Sequence, residues 1–592
     1  MKSEVELWIT CLNEAGDHHD VRTQRDSAYA LSRIKDEGIA FLTITLPRFE
    51  KDFLSCIKQG RVSSDAFVGF SRKRGLPKFL SGFLSKIFDN DGTLRTDVDP
   101  NLIRDLRQVL LLLSKVEYPV SETRNRQAIA AYIDTDALLP EQLSSDLIER
   151  FEKAAESLLG DYLRRVESKI WNKSWIPKHS GGALATRETS NGRWSNNTWT
   201  DRLQAVIPYW DDLLTFPSES PDDVVVLARN EEPPAKLVLV PKTMKSPRVI
   251  VEEPCHMQYV QQGVFRAMSE TLRESKFSKL FMSFSWDSQD HNRVLAKEGS
   301  INGNFATIDL SEASDRVSLQ LARSLFMGSR FLRELVLACR SESVSLPNGE
   351  LLELRKFASM GSSLCFPIES MVFYVIGEMA VASVAAIGPS YKRMRPSGLV
   401  RIYGDDIIIP TEAAHVAISL LEAFGLKVNA AKTFTTGPFR ESCGSDWYNG
   451  VSVSVFKLRH PLPQMARQHE LLRSAIAFHN LVYDQGWFRV AEYVRKSLLS
   501  IFPHIPRVPV GTRAHAFWSW DGPYAVRTSR TLHRSEYKVL KFREVKPSDR
   551  LDGYGALKKS FENLGNEADK DHLQRAGRSQ CVSVSIGWYA PF

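Results

Sequence analysis

The chain has 592 residues, with 77 Lys and Arg against 70 Asp and Glu, for a formal net charge of +7. That length allows several domains and a large core, and hydrophobic (43%) and charged (25%) fractions are those of a soluble globular protein. So mild a charge excludes a uniformly basic shell, so any polyanion must be gripped by a local basic surface.

Positions 1–120 mix short amphipathic helical patterns with the basic run Arg72-Lys73-Arg74. Leu102 to Val116, rich in Leu, reads as a helix. Between 121 and 300 come further helices, the small-residue loop Ser180-Gly181-Gly182-Ala183, and two apolar strands around a basic turn, Val238 to Ile250. Lys236, Lys242, Lys245 and Arg248 fall there with no acid between positions 235 and 251. A lone basic cluster is usually a solvated turn. A triphosphate, however, needs such a cationic cradle while its α-phosphate is attacked.

Phe305-Ala306-Thr307-Ile308 reads as a strand ending at Asp309, and Ser311-Glu312-Ala313-Ser314-Asp315 as the opening of a helix through Leu319, Leu321 and Leu325. Ser359 to Ser363 is a small-residue loop that lets backbone approach a ligand closely. Met371 to Gly388 is almost continuously apolar and nears membrane-span length, but Glu378 and its many small residues fit a buried helix better. Ile402-Tyr403-Gly404-Asp405-Asp406-Ile407-Ile408-Ile409 reads as a hairpin with two adjacent carboxylates at its tip. Paired anions are costly unless a cation neutralises them. With Asp309 also at a strand end, neighbouring strands would bring three carboxylates together, a donor set suited to two hard cations about 4 Å apart. One ion would activate a hydroxyl nucleophile and the other stabilise a leaving pyrophosphate, with Mg²⁺ preferred and Mn²⁺ as a substitute.

Gln468 to Tyr483 is patterned as a helix, and beyond Pro503 Arg and His alternate with aromatics, among them Arg513, Trp518, Trp520, Tyr524 and Arg527. Such interleaving can hold a phosphate backbone and stack bases, or it can be a poorly patterned subdomain. Cys11, Cys56, Cys255, Cys339, Cys365, Cys443 and Cys581 include no Cys-x-x-Cys pair, and they read as free thiols of a reducing cytoplasm. Met1 to Glu6 lacks the apolar core of a signal peptide.

Taken together, Thr307 to Asp315, Ser359-Met360-Gly361 through Glu369-Ser370, Tyr403-Gly404-Asp405-Asp406, and Lys432-Thr433-Phe434 with Gly437 to Gly444 stand in the order of a known set of motifs. From about Gly181 to about His460 the chain resembles the RNA-dependent RNA polymerase catalytic subunit of the single-stranded RNA bacteriophages, the levivirus replicase family. The last block is the most specific, because Tyr-Gly-Asp-Asp is shared by many viral polymerases. One departure is visible: those replicases carry Asn after the Gly of the second motif, where this chain has Ser362, whose reach is shorter.

The resemblance implies an α+β right-hand polymerase with an antiparallel palm sheet. Its parts would be an N-terminal region or finger extension (1–120), fingers (121–300), a palm (301–460), and a thumb with the C-terminal region (461–592). It implies metal ligation by Asp309, Asp405 and Asp406 and triphosphate binding by Lys242, Lys245 and Arg248. It also implies ribose sensing by Asp315 with Ser359, Gly361 and Ser362, although capping is an equal reading for Asp315. Lys432 would protonate departing pyrophosphate, or be a surface lysine; Gly181, Gly182, Asp290 and Arg293 would contact RNA. Implied partners are RNA template and product, ribonucleoside triphosphates, and host elongation factors Tu and Ts with a ribosomal protein, in the cytoplasm of a bacterial host and without a membrane. Two rivals stand beside this reading. A reverse transcriptase would place an aromatic gate soon after the first acid, where Ser311 to Ser314 stand here. A non-catalytic RNA-binding or host-interaction protein would have no electrostatic reason to keep all three acids.

Overall fold

Three short β-branched segments assemble the centre of the molecule. In a computed structural model that describes residues 2–175, 177–212, 223–385, 391, 394–564 and 571–591, Arg401–Tyr403, Asp406–Pro410 and Phe305–Ile308 form an antiparallel sheet in that order. Ala306, Ile308, Ile402, Ile407, Ile408 and Ile409 are buried on its faces. Helices Asp290–Asn302, Cys365–Val384 and Thr411–Ala423 pack around it.

Helix Cys365–Val384 is long and apolar enough to cross a membrane, but 89% of its apolar window is buried inside the protein. Glu378 within it receives the backbone N–H of Ser397 at 3.0 Å and the Ser397 hydroxyl at 3.1 Å, which is how a carboxyl is tolerated there. The expected span Met371 to Gly388 is thus a core helix as far as Val384; positions 386–388 lie outside the described residues.

Two expected helices are shorter than their patterns. The Leu-rich N-terminal helix is Pro100–Leu111, capped by Asp99, and it ends because the Leu112 carbonyl accepts from Leu458 N (2.9 Å) instead of continuing the helix. The helix after Asp309 starts at Leu319, not Ser311, with the Ser318 hydroxyl accepting from Leu321 N. Ser311 is occupied in a strand pair with Lys427, and Glu312 has φ +49°, outside helical space.

The basic hairpin is Ala235–Val240 against Arg248–Glu252, in a four-stranded sheet with Ser343–Ser345 and Leu351–Glu353. One hydrophobic core joins the long helix Ser145–Trp171 to the central sheet and helix Cys365–Val384. A second core is built from both chain ends. Leu7, Trp8, Phe49, Phe53 and Leu106 pack in it with Phe439, Leu472, Trp487 and Val494. Buried Arg107 pins that core, donating to Glu50 (2.8 Å), Asp446 (3.1 Å) and the Val453 carbonyl (2.6 Å). Two half-buried C-terminal aromatics are engaged by the protein itself: Arg527 lies over Trp588, and Trp518 donates to the Thr512 carbonyl.

Candidate active site

The carboxylate turn is set by a backbone only glycine accepts. Gly404 has φ +60°, and a Cβ there would sit 2.5 Å from Phe366 Cε2 and 3.3 Å from Glu369 Oε1. Its N–H donates to the Ser370 hydroxyl (3.2 Å), tying the turn to the helix beneath. Asp405 is exposed at the tip and Asp406 half-buried at the start of the next strand. Since Ile407 faces Ile308 in the register, the following pair places Asp406 across from Asp309. The three acids therefore share one corner of the sheet.

Asp309 and Asp406 are also held from behind. Asn429 Nδ2 donates to Asp309 Oδ2 (2.7 Å), and the Lys432 ammonium lies 3.8 Å from Oδ1 and 3.2 Å from Glu441. Ser442 donates to Asp406 Oδ1 (3.4 Å), and Asn292 donates to the Asp406 carbonyl (3.3 Å). Burial, with Asp405 and Asp309 adding repulsion, pushes the Asp406 carboxyl up to about 6. Burial also raises Asp309, against the pull of Lys432. Burial lowers Lys432, but Glu441 and Asp309 outweigh it and hold the ammonium above its ordinary range.

Among the described residues no three His, Cys, Asp or Glu side chains close into a finished ligand shell. The expected meeting of the acids at one spot is thus a shared corner in which Asn429 and Lys432 engage Asp309. The donor set nonetheless fits a hard divalent cation. All donors are carboxylate oxygens, and Asp406, raised chiefly by burial and then by Asp405 and Asp309, is a group whose charged form a cation would favour.

The basic hairpin faces this corner. Lys242, Lys245 and Arg248 are exposed on it, and Lys242 lies within electrostatic reach of Asp405, Asp309 and Lys432. Its turn is anchored to helix Glu122–Ala137 by Arg124, which donates to the Met244 carbonyl (2.6 Å).

The second loop lies close by. Gly361 has φ +127°, and any Cβ there would overlap the Val251 carbonyl oxygen, so this loop packs directly on the hairpin strand. Ser359 is buried with its hydroxyl on Tyr132 (2.6 Å), and Ser362 donates to Gln261 Oε1 (3.1 Å). Both hydroxyls are therefore engaged by protein. Asp315 lies in a 3₁₀ turn rather than opening a helix, so the capping role falls away; it is paired with Lys356 at 3.1 Å.

The remaining expected contacts lie farther out. Gly181 and Gly182 are exposed in a loop braced by Arg193, whose guanidinium donates to the Gly182 carbonyl (3.0 Å). Asp290 is exposed beside Arg293 (3.6 Å), while Arg293 also donates to Gln289. Sequence reasoning missed Asn429, Gln261 and Lys356, and it included Ser442 in the Gly437 to Gly444 block without giving it a role. Asn429, three residues before Lys432, was within reach of a motif reading; Gln261 and Lys356 carry no sequence signal of their own.

With this geometry in place, the relatives are informative. The family model for RNA replicase, beta-chain matches residues 152–478, more than half of the chain, and the chain belongs to that family. The RNA-directed RNA polymerase subunit beta of Enterobacteria phage SP is 36% identical over 396 residues, covering 63% of this chain and 65% of that protein. The corresponding subunit of Escherichia virus Qbeta is 35% identical over 225 residues, 38% of this chain and 35% of its own. The beta chain of Escherichia phage MS2 is 34% identical over 226 residues, 38% of each. The chain thus spans less than two thirds of the length of these relatives. A solved RNA-dependent RNA polymerase of a human picorbirnavirus overlays with a TM-score of 0.34 at 14% identity, over 45% of this chain and 55% of that one, a distant likeness only. The fold is α+β, and the antiparallel sheet that carries the carboxylates lies within the region matched by the replicase family model.

Proposed function

We propose that this chain polymerises ribonucleotides on an RNA template, with residues 121–300 as fingers, 301–460 as palm and 461–592 as thumb joined to the N-terminal region. The observation that carries the reading is the convergence of Asp309, Asp405 and Asp406 on one sheet corner beneath a basic hairpin. Asp309, Asp405 and Asp406 would hold two Mg²⁺ ions, which lower the barrier to hydroxyl attack and steady the pyrophosphate as it leaves.

The protein's own groups supply the rest. Lys242, Lys245 and Arg248 neutralise the triphosphate and fix it over the acids. Lys432, protonated beside Asp309 and Glu441, would donate that proton to the departing oxygen. Asn429 and Asn292 keep Asp309 and the Asp406 strand in register. Asp315 lies on the same wall and receives the sugar. The surfaces around Gly181, Gly182, Asp290 and Arg293 are the proposed path for RNA.

Relatives named as a beta subunit support a complex with host proteins, for which elongation factors Tu and Ts and a ribosomal protein are the proposed partners, in the bacterial cytoplasm. The test is Mg²⁺-dependent incorporation of labelled ribonucleotides on single-stranded RNA, with and without host lysate. Asp405→Asn should lose incorporation while melting like the parent chain. Incorporation by that variant at the parent rate would overturn the reading.

A further inference from the structure

Among the described residues the least exposed cation belongs to Lys356, whose side chain has no solvent exposure at all. Its ammonium lies 3.1 Å from Asp315 Oδ1 and 3.9 Å from Asp136, and 3.5 Å from the centre of the Tyr132 ring. Tyr132 in turn bonds Ser359 at 2.6 Å. One buried lysine therefore links helix Glu122–Ala137, the turn carrying Asp315 and the second small-residue loop.

Its backbone is fixed from both sides. The Asp136 carboxylate accepts the N–H groups of Arg355 (3.0 Å) and Lys356 (3.1 Å), while Leu319 N donates to the Arg355 carbonyl and Phe357 N to that of Val317. The ammonium has little freedom to move. A buried ion pair is a poor way to gain stability, since an apolar group of the same volume often serves as well. What such a pair does supply is a defined direction. Asp315 has one oxygen bound to Lys356; its other oxygen takes no bond from the described protein, and the side chain keeps 17% exposure. Ser359 and Ser362 are less available for this work, since both are buried and already bonded to Tyr132 and Gln261.

We propose that Lys356 is the positioning residue for sugar selection: it fixes Asp315 through one oxygen so that the other accepts the 2′-hydroxyl of the incoming ribonucleotide. The inference rests on the polymerase reading above and assigns a residue that reading does not use. A carboxylate locked in place distinguishes a hydroxyl donor from its absence far better than a freely rotating one.

The experiment compares KM and kcat for a ribonucleoside triphosphate and its 2′-deoxy analogue on one RNA template, using the full chain with host lysate present. The charge-compensated pair Lys356→Met with Asp136→Asn removes the clamp without leaving a surplus buried charge. Ribose preference should fall on the order of 10–100-fold, through a higher KM for the ribonucleotide with the deoxy analogue little changed. Lys356→Arg should restore part of the preference. Asp315→Asn, which sits nearer solvent, should lose a similar factor and serves in place of the pair should the pair fail to fold. Both sugars slowed equally, with preference intact, would mean a purely structural lysine and would overturn the proposal. A parent chain that incorporates neither sugar would remove the polymerase reading, and this inference with it.

Discussion

Asp406 ties the stability of the metal-free protein to pH in a way that can be measured without any turnover. Folding raises its carboxyl from the ordinary 3.8 to about 6, chiefly by burial and then by the neighbouring Asp405 and Asp309. The folded chain therefore binds the proton more tightly than the unfolded chain. Whatever this group contributes to stability is present below about pH 4 and is lost as pH climbs through about 6. The rise corresponds to about 3 kcal/mol of destabilisation at neutral pH. Asp406→Asn carries no charge and escapes that penalty. Urea unfolding of both proteins in chelator should show the variant more stable near pH 7, by up to about 3 kcal/mol, with the two converging near pH 4. Added Mg²⁺ should then stabilise the parent protein at neutral pH and leave the variant almost unmoved. Parallel stability profiles for the two proteins between about pH 4 and pH 7 would refute the electrostatic account of this corner.

Three other expectations concern the surrounding frame. Gly404→Ala places a methyl 2.5 Å from the Phe366 ring on a left-handed backbone, which should cost about 2–4 kcal/mol locally and lower incorporation by roughly 100-fold; single-turnover assays at the parent rate would count against the turn geometry. Arg107→Met leaves Glu50 and Asp446 buried without their partner and should destabilise by about 3–5 kcal/mol in urea titrations, whereas a loss under about 1 kcal/mol would show the pair to be dispensable. Lys242→Glu with Lys245→Glu should raise KM for nucleotides far more than it lowers kcat, and an unchanged KM would remove the hairpin from triphosphate binding.

The carboxylate corner was legible because its physics is local. Asp309 ends a β-branched run and Asp405–Asp406 caps a hairpin, so the sheet register alone brings Asp406 opposite Asp309. The basic hairpin was legible for the same reason. The helix expected from Ser311 failed because a strand partner 116 positions later, Lys427, claims that serine. Tyr132, Asp136 and Lys356 were invisible for a similar reason. Their meaning comes from a contact between segments about 220 residues apart, and each taken alone reads as an ordinary polar residue of a helix or loop. The Ser359 and Ser362 hydroxyls look like ligand groups in a small-residue loop, yet the neighbours that engage them, Tyr132 and Gln261, lie about 230 and 100 positions earlier.

The core shared by the two chain ends has a consequence for how the protein is made. Leu7, Trp8, Phe53 and Leu106 leave the ribosome well before the helices that cover them, His469–Asp484 and Phe488–Leu499, which follow Leu106 by about 360 residues. At about 5–20 residues per second, the N-terminal segment waits on the order of 20–80 s with its apolar faces uncovered. During that wait it is a natural client for a nascent-chain chaperone. A chain truncated before about codon 500 should therefore keep those apolar faces without the two helices that cover them.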